Sequence, residues 1–160
     1  MEILFYDDIK GLTFVELEKK MSSIAKPVSE YSIADFIFYV GKALHPCTGL
    51  YAFFEGNVLM YIGKASSNSF VEQIPRHFDV RSGAWFNSLL KKMGTKKESY
   101  GEEAKRALKF RMALIAIEDS PVIPALESGL RRQLQPKYNK IRKYGPEVVE
   151  EYVAEYLDKR

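Results

Sequence analysis

A single cysteine, Cys47, stands in a chain of 160 residues. One thiol excludes an internal disulfide and any cysteine-cluster metal site. Histidine is almost as scarce, with two in all. His45 and Cys47 therefore lack the ligands for a zinc centre and the partners for thiol catalysis, and they are set aside. No run approaches the ~18 apolar residues of a membrane span. The opening Met1-Glu2-Ile3-Leu4-Phe5-Tyr6-Asp7-Asp8 lacks the basic region of a secretory signal. A cytoplasmic location without a membrane partner is the expectation. Gly63-Lys64 has neither the upstream glycine nor the trailing Ser/Thr of a P-loop. Internal repeats, low-complexity tracts and long Pro/Gly linkers are also missing.

Apolar residues make up 46% of the chain and charged residues 28%, ordinary for a soluble globular protein with an ample core. The net charge of +3 decides nothing, but its distribution is uneven. Residues 1–63 hold five Lys/Arg against eight Asp/Glu, a net of −3. Residues 64–143 hold seventeen against eight, a net of +9, and residues 144–160 two against five, again −3. A concentrated basic stretch is the footprint that a phosphate backbone calls for, although a solvated lysine surface gives the same count.

Helical spacing of Phe14, Leu17, Met21 and Ile24 predicts an amphipathic helix over 13–25, ended by Lys26-Pro27. Residues 31–44 fit either a helix starting near Ser32 or a strand. Two aromatic-rich runs then flank Glu55-Gly56-Asn57, and Gly56-Asn57 is a favoured hairpin turn pair. Closed near residue 56, that hairpin sets Tyr51 almost opposite Tyr61 on one face. A polar loop follows, then a short helix from Phe70. Ser82 suits the N-cap of a helix through Met93, with Trp85, Leu89 and Met93 on one face. A further short helix is expected over Tyr100–Leu108. The apolar run Phe110–Ile117 has the pattern of a buried central strand. Glu118-Asp119-Ser120-Pro121 then caps a helix carrying Leu126, Leu130 and Leu134, which Pro136 stops. Gly145-Pro146 opens an acidic helix to Leu157, with Val149, Tyr152, Val153 and Tyr156 as its apolar face.

Each run of the hairpin carries a Tyr beside a Gly: Gly49-Leu50-Tyr51 in the first and Tyr61-Ile62-Gly63 in the second, with Lys64 following. Two core tyrosines in an amphipathic hairpin would give part of this pattern. The whole arrangement resembles the signature of the GIY-YIG nuclease family, with Leu50 in place of the usual Ile. From the hairpin to Asn139 the resemblance implies an α+β fold, a small three-stranded antiparallel or mixed sheet flanked by helices. Residues 48–143 would form that domain, residues 1–47 an N-terminal helical appendage and residues 144–160 a C-terminal acidic helix.

The resemblance also implies an activity: a metal-dependent endonuclease that hydrolyses DNA phosphodiesters, with RNA left open as a substrate. Glu127 is the implied ligand of a single Mg²⁺ or Mn²⁺, its small neighbours Ser128 and Gly129 allowing close approach; an exposed Glu paired with Arg131 is the plainer reading. Tyr51 and Tyr61 are the candidate bases, and Lys64 is the cation expected to favour a phenolate at Tyr61. Arg76, or its rival Arg81, would clamp the scissile phosphate. His77 would act as base, or as leaving-group acid if protonated. Arg76 lies further beyond Gly63 than in the simplest members, and Pro75 interrupts the helix that should carry it. Asn139, in Gln135-Pro136-Lys137-Tyr138-Asn139, matches a Pro-x-Tyr-Asn segment of the family and would tie loop backbone near the site. Arg131, Lys137 and Lys140 extend the basic lining of a nucleic-acid groove. Two alternatives stand beside this reading. One is a catalytically inactive nucleic-acid-binding module of the same fold. The other is a protein-interaction domain that uses Tyr152 and Tyr156 as anchors. Scission of both strands by one site would suit a homodimer or sequential nicking.

Overall fold

The computed structural model describes residues 2–44, 47–95, 98–139 and 148–159. Along the chain, β1 (Leu4–Phe5) leads into α1 (Tyr6–Ile9), α2 (Phe14–Ile24) and β2 (Lys26–Pro27). Turns of 3₁₀ helix at Val28–Glu30 and Ile33–Phe36 precede a small hairpin, β3 (Phe38–Tyr39) and β4 (Lys42–Ala43). The long hairpin follows as β5 (Gly49–Glu55) and β6 (Val58–Ala65). Then come α3 (Phe70–Gln73), a 3₁₀ turn at Pro75–Phe78, α4 (Ser88–Met93) and α5 (Gly101–Ala107). The chain closes with β7 (Arg111–Ala116), α6 (Val122–Leu134) and α7 (Val149–Asp158). No helix among the described residues is long and apolar enough to cross a membrane.

The apolar run at 110–117 becomes the middle strand, as its pattern predicts. One edge of β7 pairs antiparallel with β5, whose other edge pairs with β6. Two short strands share the opposite edge of β7: β1 runs parallel to it at Ile115–Ala116, and β2 antiparallel at Arg111–Met112. The sheet thus has five strands rather than three. The N-terminal segment, read as a helical appendage, supplies two of them, and its α2 packs in the core. Two-residue strands carry no periodic signal, so nothing in their sequence announced them.

Both faces of the sheet are covered, which is why its strands read as almost continuous apolar runs. Leu50, Ala52, Phe54 and Ile62 meet α2, α6 and α7 on one face. Tyr51, Phe53 and Met60 meet α3, α4 and α5 on the other. Helix α2 begins as its sequence predicts. Thr13 accepts from the Glu16 amide, and the Glu16 carboxylate accepts in return from the Thr13 amide at 2.8 Å. Between Ser32 and Ala43 the chain takes neither a full helix nor one long strand, but a 3₁₀ turn and then the β3–β4 hairpin.

The helix expected over 82–93 exists only from Ser88. The Asn87 side chain is fully buried and donates to the carbonyls of Asp79 at 2.6 Å and Arg81 at 3.0 Å. Those bonds hold residues 79–87 as a loop and leave Trp85 87% exposed rather than on a helix face with Leu89. A side-chain amide that satisfies local carbonyls competes with the helical ladder, and here it wins.

Candidate functional site

A two-residue turn closes the long hairpin, pairing Glu55 with Val58, but the register then changes. Phe54 faces Leu59 while Phe53 faces Tyr61, so Met60 is the extra residue of a β-bulge. Tyr51 therefore pairs with Gly63, not Tyr61, and the two tyrosines stand diagonally on the same face. The two-residue turn alone would set Tyr51 opposite Ile62, with the two phenols on opposite faces; the bulge adds one residue and returns them to one face, a diagonal step apart rather than opposite. Gly63 is what makes room: a Cβ there would lie 2.3 Å from Tyr51 Cζ. Gly49 has a comparable duty. It holds φ at +147°, and a Cβ would run into the Ile115 carbonyl of β7.

Tyr51, Tyr61, Gly63, Lys64 and Glu127 line one cavity of 300 Å³, together with Ser66, Ser67, Asn68 and Gln73. The phenols reach it from one face of the sheet. Lys64 lies two residues beyond Ile62, which packs toward α6, so strand alternation turns Lys64 to the α6 side where Glu127 waits. Lys64 Nζ sits 3.1 Å from Glu127 Oε2, and Arg131 Nη1 lies 3.8 Å from Oε1. The cation expected beside a phenol thus pairs with the carboxylate instead. The plainer reading of Glu127, an i,i+4 pair with Arg131, coexists with the cavity rather than competing with it. Glu127 is the one acidic side chain lining the cavity among the described residues. Those residues include no group of three or more His, Cys, Asp or Glu placed to hold a metal.

Behind the cavity, the Tyr51 hydroxyl and His77 Nε2 are 2.5 Å apart. Burial, and next the charge of Lys92, pull the His77 pKa down to about 4. Burial, and then neighbouring Tyr61, push the Tyr51 phenol far above its usual value. At neutral pH the phenol therefore keeps its proton and the imidazole is neutral, and the imidazole tautomer sets which of the two donates. His77 Nδ1 is buried without a hydrogen-bond partner. A neutral His77 sealed at 1% exposure does not suit the role of protonated acid at a leaving group. Its position instead governs Tyr51. Tyr61 is half-buried, with its hydroxyl 3.2 Å from Ser88 Oγ; burial is again the first cause that raises its pKa.

Sequence reasoning missed Gln73, Ser88 and Lys92. Lys92 Nζ stands over the Tyr61 ring, 5.8 Å from its centroid. Ser88 and Lys92 share one face of α4, but the helix had been expected to begin earlier and present Trp85. The polar run Ser66-Ser67-Asn68, which follows Lys64 after one intervening residue, was the available clue to the cavity wall.

Several expected members stand elsewhere. The Arg76 guanidinium lies over the Phe86 ring, 4.5 Å from its centroid. Arg81 makes a forked pair with Asp79, with Nε 2.9 Å from Oδ1. Both arginines line a second cavity of 710 Å³, with Trp85 and Phe86, and neither lines the tyrosine cavity. Ser128 and Gly129 do not open a path to Glu127. They face α7, with Ser128 Oγ 3.2 Å from the Tyr152 hydroxyl and Gly129 against Phe14 and Tyr152. Tyr152 is buried there, whereas an anchor for a partner would need to be accessible. Asn139 does tie backbone beside the site. Its Oδ1 accepts from the Ile62 amide at 2.6 Å, and the Tyr138 amide donates to the Met60 carbonyl at 2.9 Å. Those bonds satisfy the free edge of β6. Lys137 is exposed on the same segment, and Lys140 lies outside the described residues. No protein-family model, curated protein or solved structure matches the chain.

Proposed function

We propose that this chain is a GIY-YIG-type endonuclease that hydrolyses DNA phosphodiesters with a divalent ion. The observation that carries this reading is the convergence of Tyr51, Tyr61, Lys64 and Glu127 on one cavity, with His77 bonded to Tyr51 behind it. Hydrolysis needs an activated water, charge compensation on the phosphate and a stabilised leaving oxygen. The donors suit a hard cation in kind: the Glu127 carboxylate beside the hydroxyl and amide oxygens of Ser66, Ser67 and Asn68. Glu127 would hold Mg²⁺ or Mn²⁺, which requires Lys64 to leave Oε2. The Lys64 side chain is 42% exposed and can swing into solvent. When bound, such an ion supplies Lewis-acid polarisation of the phosphate and counter-charge for the leaving oxygen.

The remaining steps belong to the chain's own groups. The Tyr51 oxygen takes a proton from water while its own proton passes to His77 Nε2. The hydroxide formed attacks phosphorus, the bond from phosphorus to one deoxyribose oxygen breaks, and that oxygen takes a proton from solvent. His77 then returns its proton through Tyr51 to solvent and becomes neutral again. Lys64, released from Glu127, and Arg131 offset the charge on the phosphate. A single site cuts one strand per encounter, so duplex scission calls for two encounters or two copies.

A second reading is favoured by one feature. Glu127 is flanked by two cations, Lys64 in the cavity and Arg131 beside it, and this cluster of net charge +1 is fit to hold a phosphate without any ion. On that reading the chain binds nucleic acid and does not cut it. Cleavage of supercoiled plasmid by wild type and Glu127→Ala, each with Mg²⁺, Mn²⁺ or EDTA, separates the two. Metal-dependent nicking by wild type alone is the expected result. Salt-sensitive binding with no cleavage in any metal would overturn the nuclease and leave the binding module.

A further inference from the structure

The loop over residues 79–87 displays the chain's one tryptophan almost bare to solvent, at 87% exposure, beside a half-exposed Phe86. Large exposed aromatics on a slack loop would need no explanation, but this loop is braced. Asn87 holds the carbonyls of Asp79 and Arg81, and the Tyr100 amide donates to the Val80 carbonyl at 2.9 Å. Lys91 donates to the Ala84 carbonyl, and Asp79 fixes the Arg81 fork. The backbone that carries the flat groups is thus held in place before any ligand arrives. Arg76 is stacked on Phe86, and the cavity these groups share measures 710 Å³, ample for one nucleotide. Two arginines against one aspartate leave it net positive.

Position in the chain joins this cavity to the tyrosine site. The loop leaves from His77, which holds Tyr51, and returns at Ser88, which meets Tyr61. A strand of nucleic acid with a phosphate at the tyrosine cavity would find this platform on the adjoining loop. A planar ring, a stacked guanidinium and net positive charge are the chemistry that takes an unstacked base. Bases inside a duplex offer no free face to such a platform.

The geometry points to a base-stacking seat formed by Trp85, Phe86 and Arg76, which selects nucleic acid carrying unpaired nucleotides. This inference rests on the nucleic-acid reading above and names its substrate class. Because Trp85 is the only tryptophan, its emission reports on this seat alone. The test is a titration of wild-type protein in EDTA with short oligothymidylate and with a duplex of equal length. Oligothymidylate is expected to quench the emission and the duplex to leave it nearly unchanged. Read by the anisotropy of a dye-labelled oligothymidylate, since neither variant keeps a tryptophan, Trp85→Ala should weaken binding about tenfold, the loss of one stacked base, and Trp85→Phe should restore most of it. Equal quenching by duplex, no quenching by either, or an unaltered affinity in Trp85→Ala would overturn the seat. Concentration-dependent dimerisation that Trp85→Ala abolishes, without oligonucleotide quenching, would assign the face to a second copy instead. Quenching without plasmid cleavage would remove the nuclease and keep the seat; metal-dependent cleavage without quenching would do the reverse.

Discussion

The two faces of the sheet are built from the same strands and differ in what those strands bury. Toward α2, α6 and α7, β5 presents Leu50, Ala52 and Phe54, whose side chains carry no polar atom. Toward α3, α4 and α5 the alternate residues include Tyr51, with Tyr61 from β6 and the imidazole of His77 packed among them. Each polar group on that side must find a partner or lose stability. Tyr51 finds His77 and Tyr61 finds Ser88, but His77 Nδ1 and the carbonyl oxygen of the Asn87 side chain find none. One face stabilises the fold. The other holds proton-bearing groups at shifted pKa values, the condition for acid–base chemistry.

Breaking the apolar face should have the largest effect. Phe14 is 2% exposed and meets the Tyr152 ring edge-on at 5.6 Å. Phe14→Ala should lower stability by about 3–5 kcal/mol in urea denaturation, a cavity loss that no pH change relieves. The polar face should instead respond to acid. His77 binds its proton at about 4 in the fold against 6.5 when exposed, so between those values the unfolded chain holds more protons. Stability is therefore complete above pH 6.5 and falls toward pH 4, by about 3 kcal/mol from this group. His77→Gln should flatten that stretch of the profile; an unchanged slope would mean that another group titrates there. The smallest effect sharpens the comparison at Gly63. A methyl group at Gly63 cannot coexist with the Tyr51 ring where it stands. Gly63→Ala should cost about 1–3 kcal/mol of overpacking, measured by thermal denaturation, and should reduce cleavage further by displacing Tyr51 from His77.

How much of this was legible depends on the range of the signal. Phe14, Leu17, Met21 and Ile24 lie within eleven residues, and their helical spacing marked α2. The apolar run at 110–117, bounded by charges, had the pattern of a buried central strand. The hairpin, its turn and Glu127 on the helix after β7 were also readable. The loop at 79–87 was not, because Asn87 acts through carbonyls whose approach no periodicity records. Neither β1 nor β2 was visible, since each is defined only by its pairing with β7. Arg76 was expected at the phosphate because the family resemblance implies a cation on the first helix after the second motif strand. In a 3₁₀ turn neighbouring side chains point apart, and Arg76 went to Phe86.

The sequence by itself determined the local elements: the Gly56-Asn57 turn, the cap of α2, the apolar periods and the two Gly/Tyr pairs. Each of these is settled by atoms a few residues apart. The tertiary structure alone decided which groups meet. An extra residue at Met60 moved Tyr51 from Ile62 to Gly63, the packing of α6 against β6 carried Glu127 to Lys64, and α4 brought Ser88 and Lys92 to Tyr61. These contacts join elements distant along the chain. Their geometry follows from how the whole core closes, which no local pattern encodes.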